Sequence, residues 1–128
     1  MGRNATFTRN ELLRAALSAV SRHGAGGVTI SSLREELGVP TGSIYHRYGS
    51  IRVILAEAWL SAVESFQAGV LALLRDDDAA RGGVEAALFT ARWSREHPLE
   101  ARTLLCYRRE DLVSGKWPRE VKGRAEHL

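Results

Sequence analysis

Apolar residues recur along this chain at helical intervals, and short polar or glycine-bearing breaks separate the runs. Leu12, Leu13, Ala16, Leu17 and Val20 form the first stripe, with the three-to-four spacing that lines one face of an α-helix. Thr8-Arg9-Asn10-Glu11 reads as a capping box just ahead of it. Gly24 closes this helix, and Ala25-Gly26-Gly27 is a short flexible link. Ile30, Leu33 and Leu37 make a second stripe behind a Thr29 cap, and Gly38 ends it. Val39 is placed to plug the core, and Pro40 suits the opening of a third helix. In that helix Ile44 and Tyr48, four apart, point one way. After Gly49, Ser50 caps a long fourth helix whose periodicity runs from Ile51 through Trp59 and Phe66 to Leu74.

The second half continues the pattern less cleanly. Asp76-Asp77-Asp78 opens a polar link that includes Gly82-Gly83. Val84 to Glu96 is expected to be a helix with Ala87, Leu88, Ala91 and Trp93 on its apolar side. His97-Pro98 marks a boundary, because proline pushes the residue before it out of the helical region. A helix carrying Leu99, Leu104, Leu105 and Tyr107 is expected from Pro98 to about Leu112. Ser114-Gly115 and Trp117-Pro118 make a loop, and a last helix opens at Pro118. Arg3 to Phe7 reads as a flexible basic arm. No internal repeat and no strand alternation interrupts this all-α reading.

Thr29 to Tyr48 holds two short helical patterns around the Gly38-Val39-Pro40 corner. That is the layout of a helix-turn-helix, in which one helix braces another in the DNA major groove. Charge sharpens the picture. The chain carries +3 overall, yet residues 1–52 have seven basic residues against three acidic ones, a net of +4. A basic surface on the motif attracts the phosphate backbone; by itself it equally suits a solvated arginine face. Hydrophobic residues at 45% and charged residues at 26% suit a soluble globular chain. Neither a membrane-length apolar run nor a signal peptide is present, so a cytoplasmic location is the default. Cys106 is the single cysteine, which rules out an internal disulfide. His23, His97, His127 and Cys106 show no zinc spacing, and no catalytic constellation or phosphate loop appears. The expectation is therefore no enzyme, no metal and no cofactor.

The strings LLRAALSAVSRHG and VTISSLREELGVPTGSIYHRYGS, followed by a long helix from Ser50, resemble the tetracycline-repressor (TetR) family of one-component transcription regulators. The resemblance covers roughly the first half of the chain. It implies a three-helix helix-turn-helix head, residues 1–52, joined through the fourth helix to a helical ligand-binding and dimerisation body, residues 53–128. Members usually act as homodimers that leave a double-stranded DNA operator when a small-molecule effector binds. Position by position, Thr41, Ser43 and His46 would face base edges, and Tyr45 and Arg47 would contact phosphates or thymine methyls. Gly42 would let the backbone approach closely, Thr29 would bind a phosphate, and Arg52, next to Ile51, is a further basic candidate.

Three positions depart from the family pattern. Pro40 stands where serine is frequent, Ile51 where a lysine often touches phosphate, and Arg34 where a small residue is common. The body normally continues through two more long helices, so the resemblance also implies that residues 53–128 are an incomplete body. Trp59, Phe66, Phe89, Trp93, Tyr107 and Trp117 are the aromatics a pocket can draw on, although each taken alone fits core packing first. The first five are the candidate effector residues. The expected function is a ligand-responsive repressor reading a palindromic operator as a dimer. The alternative is a helical small-molecule-binding or interaction module that has lost specific operator binding.

Overall fold

The protein is described by a computed structural model, which covers residues 7–75, 77–112 and 119–127. The side chains of Tyr45, Arg47, Arg119 and Glu120 lie outside that description. The elements are α1 (Arg9–His23), α2 (Ile30–Leu37), α3 (Thr41–Tyr48), α4 (Ile51–Leu74), α5 (Ala79–Glu96), α6 (Pro98–Cys106), α7 (Arg109–Leu112) and α8 (Arg119–Glu126). Among the described residues there is no strand, and the all-α expectation holds.

Local chemistry sets the starts of α1, α2 and α4. Thr8 Oγ1 accepts the Glu11 N–H at 3.2 Å, and a Glu11 carboxylate oxygen accepts the Thr8 N–H at 2.6 Å. These bonds favour the ionised carboxylate and hold Glu11 below the usual carboxylate range. Thr29 caps α2 in the same reciprocal way, with Ser32 in place of the usual Glu or Gln. Ser50 accepts the Val53 N–H to open α4. Gly38, at φ 65°, ends α2 in the left-handed region and donates to the Arg34 carbonyl at 2.8 Å. A side chain there would strain the corner that turns α2 into α3.

The core joins the head to the helices that follow. Leu12, Ala16 and Val20 of α1 are fully buried with Leu33 of α2, Ile44 of α3, and Ile54 and Leu60 of α4. The N-terminal half of α4 is apolar almost all round because α1, α3, α6, α7 and α8 surround it. Val121 and Ala125 bring α8 into this same core. A salt bridge from Arg124 to Glu64, at 2.6 Å, adds a polar tie between α8 and α4. Phe7 is 7% exposed and packs in the core, so the arm expected to reach it is anchored at that residue. Residues 1–6 and the loop expected at 114–118 lie outside the described residues.

Two expectations for the second half need correction. Gly82-Gly83 do not lie in a link, because α5 already begins at Ala79. Asp78 supplies the start by accepting the N–H groups of Ala80 and Arg81 at 3.1 and 3.2 Å. With Gly82 inside the helix, the inward face runs through Gly82, Phe89 and Trp93. Leu88 turns outward at 52% exposure, and Ala87 and Ala91 are exposed with it. The expected helix from Pro98 to Leu112 is also broken. Tyr107 is extended, at φ −127° and ψ 138°. Its hydroxyl donates to the Ala25 carbonyl at 2.6 Å, and its own carbonyl accepts the Trp59 indole N–H at 3.2 Å. These two tertiary bonds hold Tyr107 out of the helix, and Leu105 just before it is left 89% exposed.

Candidate nucleic-acid interface and ligand cavity

The corner at Gly38 fixes how α3 sits. Val39 goes inward beneath it, and Ile44 anchors α3 with no exposed surface. Tyr48 is half-buried against the same core, as its shared face with Ile44 predicts. The opposite side of the helix is thereby turned toward solvent. Gly42 and His46 are exposed, and Thr41 and Ser43 are half-exposed. Tyr45 and Arg47 belong to α3, but their side chains fall outside the description. Pro40 immediately precedes the helix, and its carbonyl accepts the Ser43 N–H at 3.2 Å.

The remaining head candidates are differently employed. Thr29 is exposed, with its hydroxyl oxygen serving the α2 cap. Arg52 is exposed, and one of its guanidinium nitrogens donates to the Asp111 carbonyl at 2.9 Å, linking α4 to α7. Ile51, in the place where the family often has lysine, packs against the core. Arg9 and Arg22 are paired with Glu57 and Glu36. The basic excess of the head is thus partly spoken for within the fold.

The aromatic candidates divide into two groups. Trp59 and Tyr107 sit in the main core and are bonded to each other. Burial pushes the Tyr107 phenol above its usual value, with nearby negative charge adding to the shift. The phenol therefore stays a donor to Ala25. Phe66, Phe89 and Trp93 form a separate cluster between α4 and α5. Phe66 lies 6.0 Å from Phe89 and 5.2 Å, edge to face, from Trp93. Gly69 permits this approach, since a Cβ there would collide with the Phe89 ring.

Beside that cluster, α4, α5 and α6 border a solvent-open hollow of about 240 Å³, lined by Phe66, Trp93 and Leu104 among others. Trp93 Nε1 is buried and has no acceptor among the described residues. Thr90, Ser94, Ala101 and Leu105 also line this hollow. Sequence reasoning missed the first three because small and hydroxyl residues on a helix carry no pocket signal, and Leu105 because an aliphatic residue in a helical stripe reads as core. A larger depression of about 540 Å³ lies between α1, α2 and α6, where Arg14, Leu37 and Leu99 meet Glu11 and Glu36. Both carboxylates are already engaged, Glu11 with Thr8 and Glu36 with Ser18 and Arg22.

Residues 12–58 match the family described as bacterial regulatory proteins, tetR family. The head is a TetR-family domain. The matched segment runs from α1 into α4 and contains the whole α2–corner–α3 unit. A crystal structure from Shewanella sp. PV-4, whose description places it in the tetR family of transcription regulators, superposes with a TM-score of 0.71 at 20% identity. The superposition covers 95% of this chain and 63% of that one. At that identity the likeness is one of fold alone, and it takes in α5–α8 as well as the head. No curated protein matches the chain. No helix among the described residues is long and apolar enough to cross a membrane.

Proposed function

We propose that the chain is a ligand-responsive transcriptional repressor, and not an enzyme, that acts in the cytoplasm as a homodimer on a near-palindromic operator. The observation that carries this reading is the setting of α3. Ile44 pins it from below while Gly42, His46, Thr41 and Ser43 reach the open side. A TetR-family head is built to lay that side in a major groove. Thr41, Ser43 and His46 are the proposed base-edge contacts, and Tyr45 and Arg47 the proposed phosphate or methyl contacts. Thr29 and Arg52 flank them as further backbone contacts, and Gly42 leaves room for the duplex. The proposed boundary between reading head and regulatory body falls at residues 52–53, within α4. Phe66, Phe89 and Trp93, on α4 and α5, are the proposed effector residues. Trp59 and Tyr107 would act behind them by linking α4 to the segment after α6.

An effector in the body would shift α4 and alter the spacing of paired α3 helices, about 34–36 Å or a multiple of it on DNA. The two arrangements need differ in effector affinity by only about 1–3 kcal/mol of coupling. Footprinting on the DNA flanking its own coding region tests this reading. The expected result is a protected pair of half-sites whose affinity falls steeply with salt. Absence of any salt-sensitive, sequence-preferring complex would overturn it.

A second reading draws support from Pro40, which brings no N–H to the start of α3, and from Ile51, which packs inward. On that reading the chain is a helical small-molecule-binding or interaction module without operator specificity. Sedimentation as a monomer, with only weak non-specific DNA affinity, would favour it.

A further inference from the structure

The hollow between α4, α5 and α6 has an unbalanced set of polar groups. Thr90 and Ser94 line it, but each hydroxyl donates within α5, to the Ala86 carbonyl at 3.1 Å and the Thr90 carbonyl at 2.8 Å. Their protons are used, and only oxygen lone pairs remain. Trp93 lines the same hollow with its indole N–H unpartnered, and an indole nitrogen can donate but not accept. A buried donor left without an acceptor is costly, so a turn of the indole that brings Nε1, closed to solvent in this conformation, onto an acceptor in the hollow gains a bond without first breaking another. The remaining lining, Phe66, Ala101, Leu104 and Leu105, is apolar. No charged side chain is among the lining residues, so an ion entering would lose hydration without gaining a counter-charge.

The hollow holds about 240 Å³ and opens to solvent past Leu105, which is 89% exposed, and its apolar wall offers contact area for one or two rings. The edge-to-face pair of Phe66 and Trp93 offers an aromatic guest a third place in the cluster. We infer that this hollow binds a small, uncharged, one- or two-ring molecule carrying a hydrogen-bond acceptor, which the Trp93 indole N–H receives. Calling that molecule the effector rests on the repressor reading; its chemical class does not.

The test uses the full chain, labelled with ¹⁵N, and three probes of nearly equal size. Acetophenone has a ring and a carbonyl, ethylbenzene lacks the acceptor, and benzoate is anionic. Acetophenone is expected to move the Trp93 indole resonance saturably. Ethylbenzene should bind about tenfold more weakly, the worth of one neutral hydrogen bond, and benzoate should not saturate. Trp93→Phe, followed through the Ala101 amide resonance, should abolish the preference for acetophenone over ethylbenzene. Ala101→Phe, which fills the hollow, should remove binding of both while the rest of the spectrum persists. Equal affinity for acetophenone and ethylbenzene, tightest binding of benzoate, or no saturable shift with any probe would overturn the inference. A parallel titration on the DNA complex separates the two ideas. An indole shift without DNA release supports the ligand class and counts against the effector role. DNA binding with no indole response supports the head's role and counts against the ligand class.

Discussion

The two halves of α4 live in different surroundings. From Ile54 to Ala62 nearly every residue is buried, and helices from both the head and the C-terminal segment enclose it. The indole of Trp59, in this half, has its acceptor. From Phe66 onward the burial loosens. Leu71 and Leu74 are more than half exposed, as are Val84 and Leu88 on the facing α5. In this half a hollow opens, and the indole of Trp93 has no acceptor among the described residues. One half of the helix is therefore a strut that holds α1–α3 in place. The other is a surface with exposed apolar area, beside an indole donor that has no acceptor among the described residues.

The largest difference should appear in core truncations. Leu33→Ala, at a fully buried position, is expected to cost about 2–5 kcal/mol in urea unfolding. Leu105→Ala, at 89% exposure, should stay within about 0.5 kcal/mol. Similar losses at both sites would erase the distinction drawn here. Next come the two tryptophans. Trp59→Phe leaves the Tyr107 carbonyl without its partner, whereas Trp93→Phe removes a donor that had none. Trp59→Phe should therefore be the more destabilising by about 1–3 kcal/mol. Equal melting curves would mean that the Trp93 N–H is satisfied after all.

How much could be read from sequence follows the same division. In the head each feature is local. Thr8, Thr29 and Ser50 cap helices within three residues of themselves, Gly38 turns the corner by its own backbone, and Ile44 shares a face with Tyr48. Such short-range rules were enough to place α1 to α4 and the exposed side of α3. The role of Ser32 as the second member of the α2 box was missed because serine is a weaker signal there than glutamate. In the second half the deciding contacts are distant. Tyr107 leaves the helical path for partners at Ala25 and Trp59, which periodicity around Leu104 and Leu105 cannot reveal. Gly82 looked like a break, but the Asp78 cap ahead of it made it part of α5. That moved the apolar face from Leu88 to Phe89. The same register turns Phe89 and Trp93 toward α4, where Gly69 admits the Phe89 ring.

Smaller effects sharpen the contrast further. Thr29→Ala removes the α2 cap and should cost about 1 kcal/mol, seen as a lower urea midpoint with an unchanged slope. The smallest effect concerns pH. The Arg124 guanidinium beside Glu64 holds its carboxyl below the ordinary value of 4.5. With the folded value depressed, the stabilisation is present above pH 4.5 and is lost as pH falls through the lower folded value. Because the pair is partly solvated, the loss should be slight. Glu64→Gln should flatten that acid limb, and an unaltered pH profile in the variant would remove the bridge from the account.

The central claim is that the open side of α3 is the surface a duplex meets, and Gly42 offers the most direct test. It is exposed, and a Cβ added there meets nothing within 4 Å. Gly42→Leu should leave the protein folded and, with a better helix former, at least as stable. Anisotropy titration of the operator fragment should nevertheless show DNA affinity reduced by tenfold or more, because the new side chain stands between helix and groove. A stably folded Gly42→Leu variant that binds the same fragment as tightly as the parent chain would contradict the account.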